Sequence, residues 1–113
     1  MSNEARLDLA SFLVEHGANV AAQDNHGLTP LHRVSRSSNE NVELAQFLVE
    51  HGANPTTQDE DGSTPLHYAA SKGHLQLIEF LVEHGAAVAA QDRLGLTPLH
   101  KVLASYCGNV GFS

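Results

Sequence analysis

Apolar residues along this chain fall at steps of three and four, in short runs that glycine closes. The clearest run is Leu75, Leu77, Ile78, Leu81 and Val82, a spacing that lines one face of a helix. It predicts a helix from about Leu75 to His84, ended by Gly85 in a left-handed conformation. A shorter helix is predicted before it, from about Pro65 to Lys72, stopping at Gly73. Its start is marked by Thr64 and Pro65. The Thr hydroxyl can cap a free backbone N–H, and proline at the first helical position gives up an N–H that had no partner. From Ala86 to Leu96 the chemistry becomes extended and turn-rich, with Asp92 and Gly95 bracketing a tight turn. The unit is helix, helix, protruding hairpin.

The unit repeats. Thr-Pro-Leu-His stands at Thr29–His32, Thr64–His67 and Thr97–His100. Phe-Leu-Val-Glu-His-Gly-Ala stands at Phe12–Ala18, Phe47–Ala53 and Phe80–Ala86. Gln-Asp-x-x-Gly stands at Gln23–Gly27, Gln58–Gly62 and Gln91–Gly95. The first two recur at steps of 35 and then 33 residues. The expected organisation is one domain, 1–113. It comprises a second-helix half-repeat (1–23), two repeats (24–58 and 59–91) and a truncated first-helix repeat (92–113). Such a unit cannot bury its apolar face alone and must stack on its neighbours as a solenoid.

The sequence resembles the ankyrin repeat family through Asp-x-x-Gly-x-Thr-Pro-Leu-His at Asp24–His32, Asp59–His67 and Asp92–His100. One copy extends the match through Ala69-Ala70, Gly73-His74 and Leu81-x-x-x-Gly85-Ala86. The resemblance implies an all-α solenoid of stacked helix-turn-helix units with protruding β-hairpin loops. It also implies a non-catalytic module that binds a protein partner on a concave face lined by first helices and hairpins. Departures are visible. Val34-Ser35 and Val102-Leu103 replace the family's Ala-Ala and should push paired helices apart. Ala21, Thr56 and Ala89 replace its usual hairpin Asn. Fifteen residues separate His32 from Phe47 but thirteen separate His67 from Phe80, so two extra residues sit within Ser35–Asn41. The last copy is expected to carry the same insertion before Val110.

Copies two apart are the most alike. Phe12–Val34 and Phe80–Val102 match at 19 of 23 positions, as duplication within a longer array would leave them. The chain is therefore expected to be an excerpt of a larger repeat protein. Leu7–Glu15 reads as a second helix with no first helix before it, and Pro98–Ser105 as a first helix with no second after it. Neither shows the polar outer face of a capping repeat. Head-to-tail self-association through these ends is the alternative function.

Composition narrows the class. Six basic against thirteen acidic residues give a net charge of -7, which disfavours nucleic acid as a partner. No apolar run approaches the ~18 residues that span a bilayer, so no membrane partner is expected. One cysteine, Cys107, and a start without a signal-like stretch suit an intracellular protein, cytoplasmic or nuclear. Six of the eight histidines are locked to the repeat: His32, His67 and His100 in one series, His16, His51 and His84 in the other. Stacked helices lie ~8–10 Å apart, too far for one zinc ion held at ~2 Å. The first series should tie hairpin to helix, as the resemblance implies, and the second should sit at helix C-termini. No metal, cofactor or catalytic residue is expected. His-Glu-x-x-His and Gly-x-Ser-x-Gly are absent, and Cys107 with His100 is the only Cys–His pair worth naming.

Charge points to a surface. The first helices (31–37, 66–72, 99–105) carry Arg33, Arg36, Lys72 and Lys101 and no acid. The second helices carry Glu15, Glu43, Glu50, Glu79 and Glu83. A basic inner strip over an acidic back is expected. The expected partner-binding residues on the helices are Arg33, Arg36, Tyr68, Ser71, Lys72 and Lys101. On the hairpins they are Asn25, His26, Leu28, Glu60, Asp61, Ser63, Arg93, Leu94 and Leu96. Leu28, Leu94 and Leu96 stand out as apolar where solvated residues belong, and with Tyr68 they form a candidate hot spot.

Overall fold

The computed structural model describes the backbone of residues 2–110 and the side chains of residues 2–104. It contains α1 (Asn3–Glu15), α2 (Pro30–Arg36), α3 (Val42–Glu50), α4 (Pro65–Lys72), α5 (Leu75–Glu83) and α6 (Pro98–Val110). The first helices α2, α4 and α6 pack side by side, and the second helices α1, α3 and α5 form a second row. The result is an elongated all-α solenoid, 47 by 27 by 27 Å. No helix among the described residues is long and apolar enough to cross a membrane.

Each helix starts where its residues allow. The Thr29 and Thr64 hydroxyls accept the N–H of His32 and His67, both at 3.3 Å. The imidazole Nδ1 in turn accepts the Thr N–H at 3.0 and 3.1 Å. Histidine thus does what glutamate does in an ordinary capping box. α1 begins four residues earlier than the apolar pattern predicts, because the Ser2 hydroxyl accepts the Ala5 N–H at 3.0 Å.

The two complete repeats turn between their helices in different ways. Gly73 (φ 72°) closes α4, and α5 follows after one more residue. α2 ends in extended Ser37, and residues 37–41 carry the chain to Asn41, which caps α3. The inserted residues lie there, as expected. In the last copy the chain stays helical through Val110 instead of leaving the helix near Ser105. The link after α2 is held open by the next repeat: His74 Nε2 meets the Ser37 carbonyl at 2.8 Å, and Glu40 accepts the Leu77 N–H at 2.9 Å. No equivalent partners stand beside α6 among the described residues.

The core runs along the stack. Leu31, Leu66, Leu77 and Leu81 are fully buried, with Ala45 and Ala69 between them. Each buried leucine contributes about 1.5–3 kcal/mol. Val34 is half-buried, whereas Val102 and Leu103 are exposed on α6.

Candidate interaction face

The hairpins contain no strand among the described residues; they are tight turns organised by one aspartate each. In the first, Asp24 Oδ1 accepts the N–H groups of His26 and Leu28 at 2.9 and 3.0 Å. Asp59 Oδ1 takes Asp61 and Ser63 the same way, both at 2.9 Å. Asp92 Oδ1 takes Leu94 and Leu96, again at 2.9 Å. Gly27 and Gly62 lie at positive φ against the next turn. A Cβ there would crowd the Glu60 and Arg93 backbone nitrogens at 3.0 Å in a backbone conformation that side chains rarely adopt, which favours glycine.

The turns are stitched to one another. The Glu60 and Arg93 N–H groups donate to the His26 and Asp61 carbonyls, both at 2.9 Å. Buried His32 reaches from Nε2 to the Ser63 carbonyl at 2.9 Å, and His67 to that of Leu96 at 2.8 Å. With Nδ1 accepting from threonine, Nε2 must carry the proton, which assigns the neutral tautomer. Burial pushes the His32 pKa below its ordinary value. The second histidine series caps helix ends: Nδ1 of His16, His51 and His84 lies 2.8–2.9 Å from the carbonyls of Phe12, Phe47 and Phe80.

The other oxygen of each aspartate reaches nine residues on, to the neighbouring first helix. Asp24 Oδ2 holds Arg33 at 2.7 Å, Asp92 Oδ2 holds Lys101 at 3.3 Å, and Asp59 Oδ2 accepts the Tyr68 hydroxyl. The Arg33 bond, with the His26 and Leu28 N–H groups, lowers the Asp24 pKa to about 2. Burial works to raise Asp92, but the Leu96 and Leu94 N–H bonds and Lys101 outweigh it and leave its pKa low. Burial, and then the Asp59 carboxylate, push the Tyr68 hydroxyl up to about 12.

This ladder corrects the expected basic strip, since two of its four cations are neutralised by hairpin carboxylates. Arg36 lies 5.6 Å above the Tyr68 ring, a cation–π contact. Lys72 has no carboxylate within ion-pair distance among the described residues. On the second-helix row Glu15, Glu43, Glu50, Glu79 and Glu83 are all exposed.

The named hairpin residues divide by burial. Asn25, His26, Glu60, Asp61, Arg93 and Leu94 are exposed, as are Arg33, Arg36, Ser71 and Lys72 on the helices. Tyr68, Leu96 and Lys101 are half-buried. Leu28 and Ser63 are buried, which corrects their assignment to the surface. Both follow the hairpin glycine, where the backbone bonds to aspartate and, at Ser63, to His32 turn the residue into the stack. At the tips His26 Nδ1 meets Glu60 at 2.7 Å, and Arg93 lies 3.8 Å from Asp61.

These elements enclose a cleft of about 550 Å³ lined by Asp61, Ser63, Tyr68, Asp92, Arg93, Leu94 and Lys101. Leu94 is 82% exposed at its rim. Among the described residues no group of three or more His, Cys, Asp or Glu is placed to hold a metal ion. The Cys107 and Val110 side chains lie outside the described residues.

Among curated proteins, none matches the chain. A family profile described as ankyrin repeats (3 copies), whose members are in general non-enzymatic protein-interaction modules, matches residues 1–59 and residues 37–111. With Asp-x-x-Gly-x-Thr-Pro-Leu-His capping three first helices in one stack, and that profile spanning almost the whole chain, the protein belongs to the ankyrin repeat family.

Proposed function

We propose that this chain recognises a partner protein, without catalysis, through the face made by its hairpin turns and first helices. The cleft over Tyr68 supports this reading best, because it brings an exposed apolar residue, Leu94, beside Arg93 and Lys101. The Asp ladder fixes the polar groups before a partner arrives, so little side-chain entropy is lost on binding. The partner segment this favours has an apolar anchor for Leu94 and Tyr68, flanked by acidic residues that answer Arg36, Lys72 and Arg93. Selection from a random displayed peptide library tests it. Selected peptides should share that pattern and lose about tenfold in affinity on Leu94→Ser. Arg36→Glu with Lys72→Glu should slow association and flatten its salt dependence. Peptides indifferent to all three changes would sink the reading.

A second reading is self-association. Leu99 and Leu103 are exposed on α6, and α1, α2 and α3 enclose an open, mostly apolar groove lined by Ala10, Leu28, Val34, Leu44 and Leu48. The near-identity of Phe12–Val34 and Phe80–Val102 makes these surfaces stand-ins for the ones that stack inside the chain. Light scattering decides. Mass that climbs with concentration and falls back on Leu99→Ser and Leu103→Ser favours stacking of copies, and a constant monomer mass rejects it.

A further inference from the structure

Positions that match between the repeats differ in cover, and the differences sort onto two faces. On the second helices, Leu44 and Leu48 of α3 and Leu77 and Leu81 of α5 are buried, but their counterparts on α1, Leu9 and Leu13, are 53% and 58% exposed. On the first helices, Leu31 and Leu66 are buried and Leu99 of α6 is exposed. Val102 and Leu103 are exposed as well, where α4 has buried Ala69 and Ala70. α4 and α5 join one core through Leu66, Ala69, Leu77 and Leu81. α6 and α1 carry the matching apolar positions, each without its cover.

The hairpin turns show the same mismatch in polar groups. Each turn gives a carbonyl, of His26 or Asp61, to an N–H of the next turn, of Glu60 or Arg93. Each first-helix histidine, His32 or His67, donates from Nε2 to a carbonyl of the next turn, of Ser63 or Leu96. Those two carbonyls also accept an aspartate N–H, of Asp59 or Asp92. Among the described residues, the corresponding groups at α6 have no partner: the Leu94 carbonyl and His100 Nε2. In the first turn the complementary groups are open. The Asn25 N–H has no acceptor among the described residues, and the Leu28 carbonyl accepts only the Asp24 N–H. Gly27 and Gly62 are pressed by the next turn, whereas nothing lies within 4 Å of a Cβ at Gly95.

We infer that copies of this chain stack in the register of their own repeats. α6 of one copy takes α1 of a second copy as α4 takes α5, and the second copy's turn at Asp24–Leu28 settles on the turn at Asp92–Leu96. The inference rests on the self-association reading above and fixes its geometry. His100 Nε2 donates to the Leu28 carbonyl of the second copy, and the Asn25 N–H of the second copy donates to the Leu94 carbonyl. Leu9 and Leu13 of the second copy cover Leu99 and Val102. The incoming segment, Phe12–Val34, differs from Phe80–Val102 at only four positions, and Phe80–Val102 already makes these turn contacts on the repeat before it. The two surfaces are unlike, so the contact is heterologous and repeats from copy to copy. The face made by turns and first helices then runs on across copies.

Blocking each face in turn is the test. Leu13→Glu blocks the α1 face and Leu99→Glu the α6 face. Both residues are exposed, so both variants should keep the wild-type circular dichroism in dilute solution. By light scattering, the wild-type mass should climb with concentration and each variant alone should stay monomeric. Mixed in equal amounts, the two variants should form a heterodimer, since each still offers the face the other lacks. A wild type that stays monomeric would overturn this inference and the self-association reading together. A variant that still associates alone, or a mixture that stays monomeric while the wild type associates, would overturn the stacking and leave self-association through another surface. The register is read from Gly95→Ala. Its methyl would press on Asn25 of the second copy as one at Gly62 presses on Arg93, and should weaken association about tenfold or more. Gly85→Ala is the control for strain alone, with φ 99° and nothing within 4 Å. Equal effects of the two substitutions would overturn the register.

Discussion

Thr64-Pro65-Leu66-His67 and Thr97-Pro98-Leu99-His100 are the same four residues in two settings. Their internal bonds agree closely: the Thr N–H reaches the imidazole at 3.1 and 3.0 Å, and the hydroxyl accepts the His N–H at 3.3 Å in both. Their burial does not agree. Leu66 is 2% exposed and Leu99 65%; His67 is buried and His100 exposed. Capping is local chemistry and comes with the motif. Burial, and most of the stability, comes from the neighbouring unit, as a one-dimensional stack requires.

The sharpest way to break this comparison is to truncate both copies. Leu66→Ala, or Leu81→Ala on α5, should cost ~2–5 kcal/mol, while Leu99→Ala or a polar residue at Leu9 should stay within about 0.5. Urea denaturation midpoints measure the gap, and equal losses would mean that the outer face of α6 is covered in solution. Next in size comes the pair of hairpin glycines. Gly62→Ala meets both a left-handed φ, worth about 1–2 kcal/mol, and the Arg93 backbone nitrogen at 3.0 Å. Gly95→Ala meets only the φ, because nothing lies within 4 Å. The first should lower the thermal midpoint clearly more than the second, and equal shifts would show that the turns do not press on each other.

The smallest effect is in pH. A histidine whose folded pKa is lowered contributes stability above its unfolded value of ~6.5 and loses it as pH falls, because the unfolded chain takes up the proton first. Stability should therefore decline on acidification below about 6.5, and His32→Gln should flatten that slope. His100→Gln serves as the exposed copy beside it. A slope unchanged by His32→Gln would place the proton uptake elsewhere.

What could be read from the sequence follows the same division. Caps, stops and turns are local, so Thr64-Pro65, Gly73 and Asp92 with Gly95 announced them without knowledge of the neighbours. Leu28 and Ser63 could not be placed, since a residue beside a hairpin glycine looks solvated until the next turn is stacked on it. The Asp ladder left a signal that went unused: Asp24 and Arg33, Asp59 and Tyr68, Asp92 and Lys101 all stand nine apart. Counting the first-helix cations without their hairpin partners exaggerated the basic strip. The insertion at residues 37–41 could be located from the sequence, but its contacts with His74 and Leu77 of the next repeat could not.

Lys101 belongs to α6, whose Leu99, Val102 and Leu103 are exposed, and it also lines the cleft over Tyr68. A helix with few buried apolar contacts opens at less cost than one with many. Whenever α6 opens, the cleft loses Lys101 along with the Asp92 bond. A partner seated in the cleft would then bind only the closed form, and by mass action would hold α6 shut. Amide hydrogen exchange in α6 would thus report occupancy of a site shared between its own hairpin and the repeat before it.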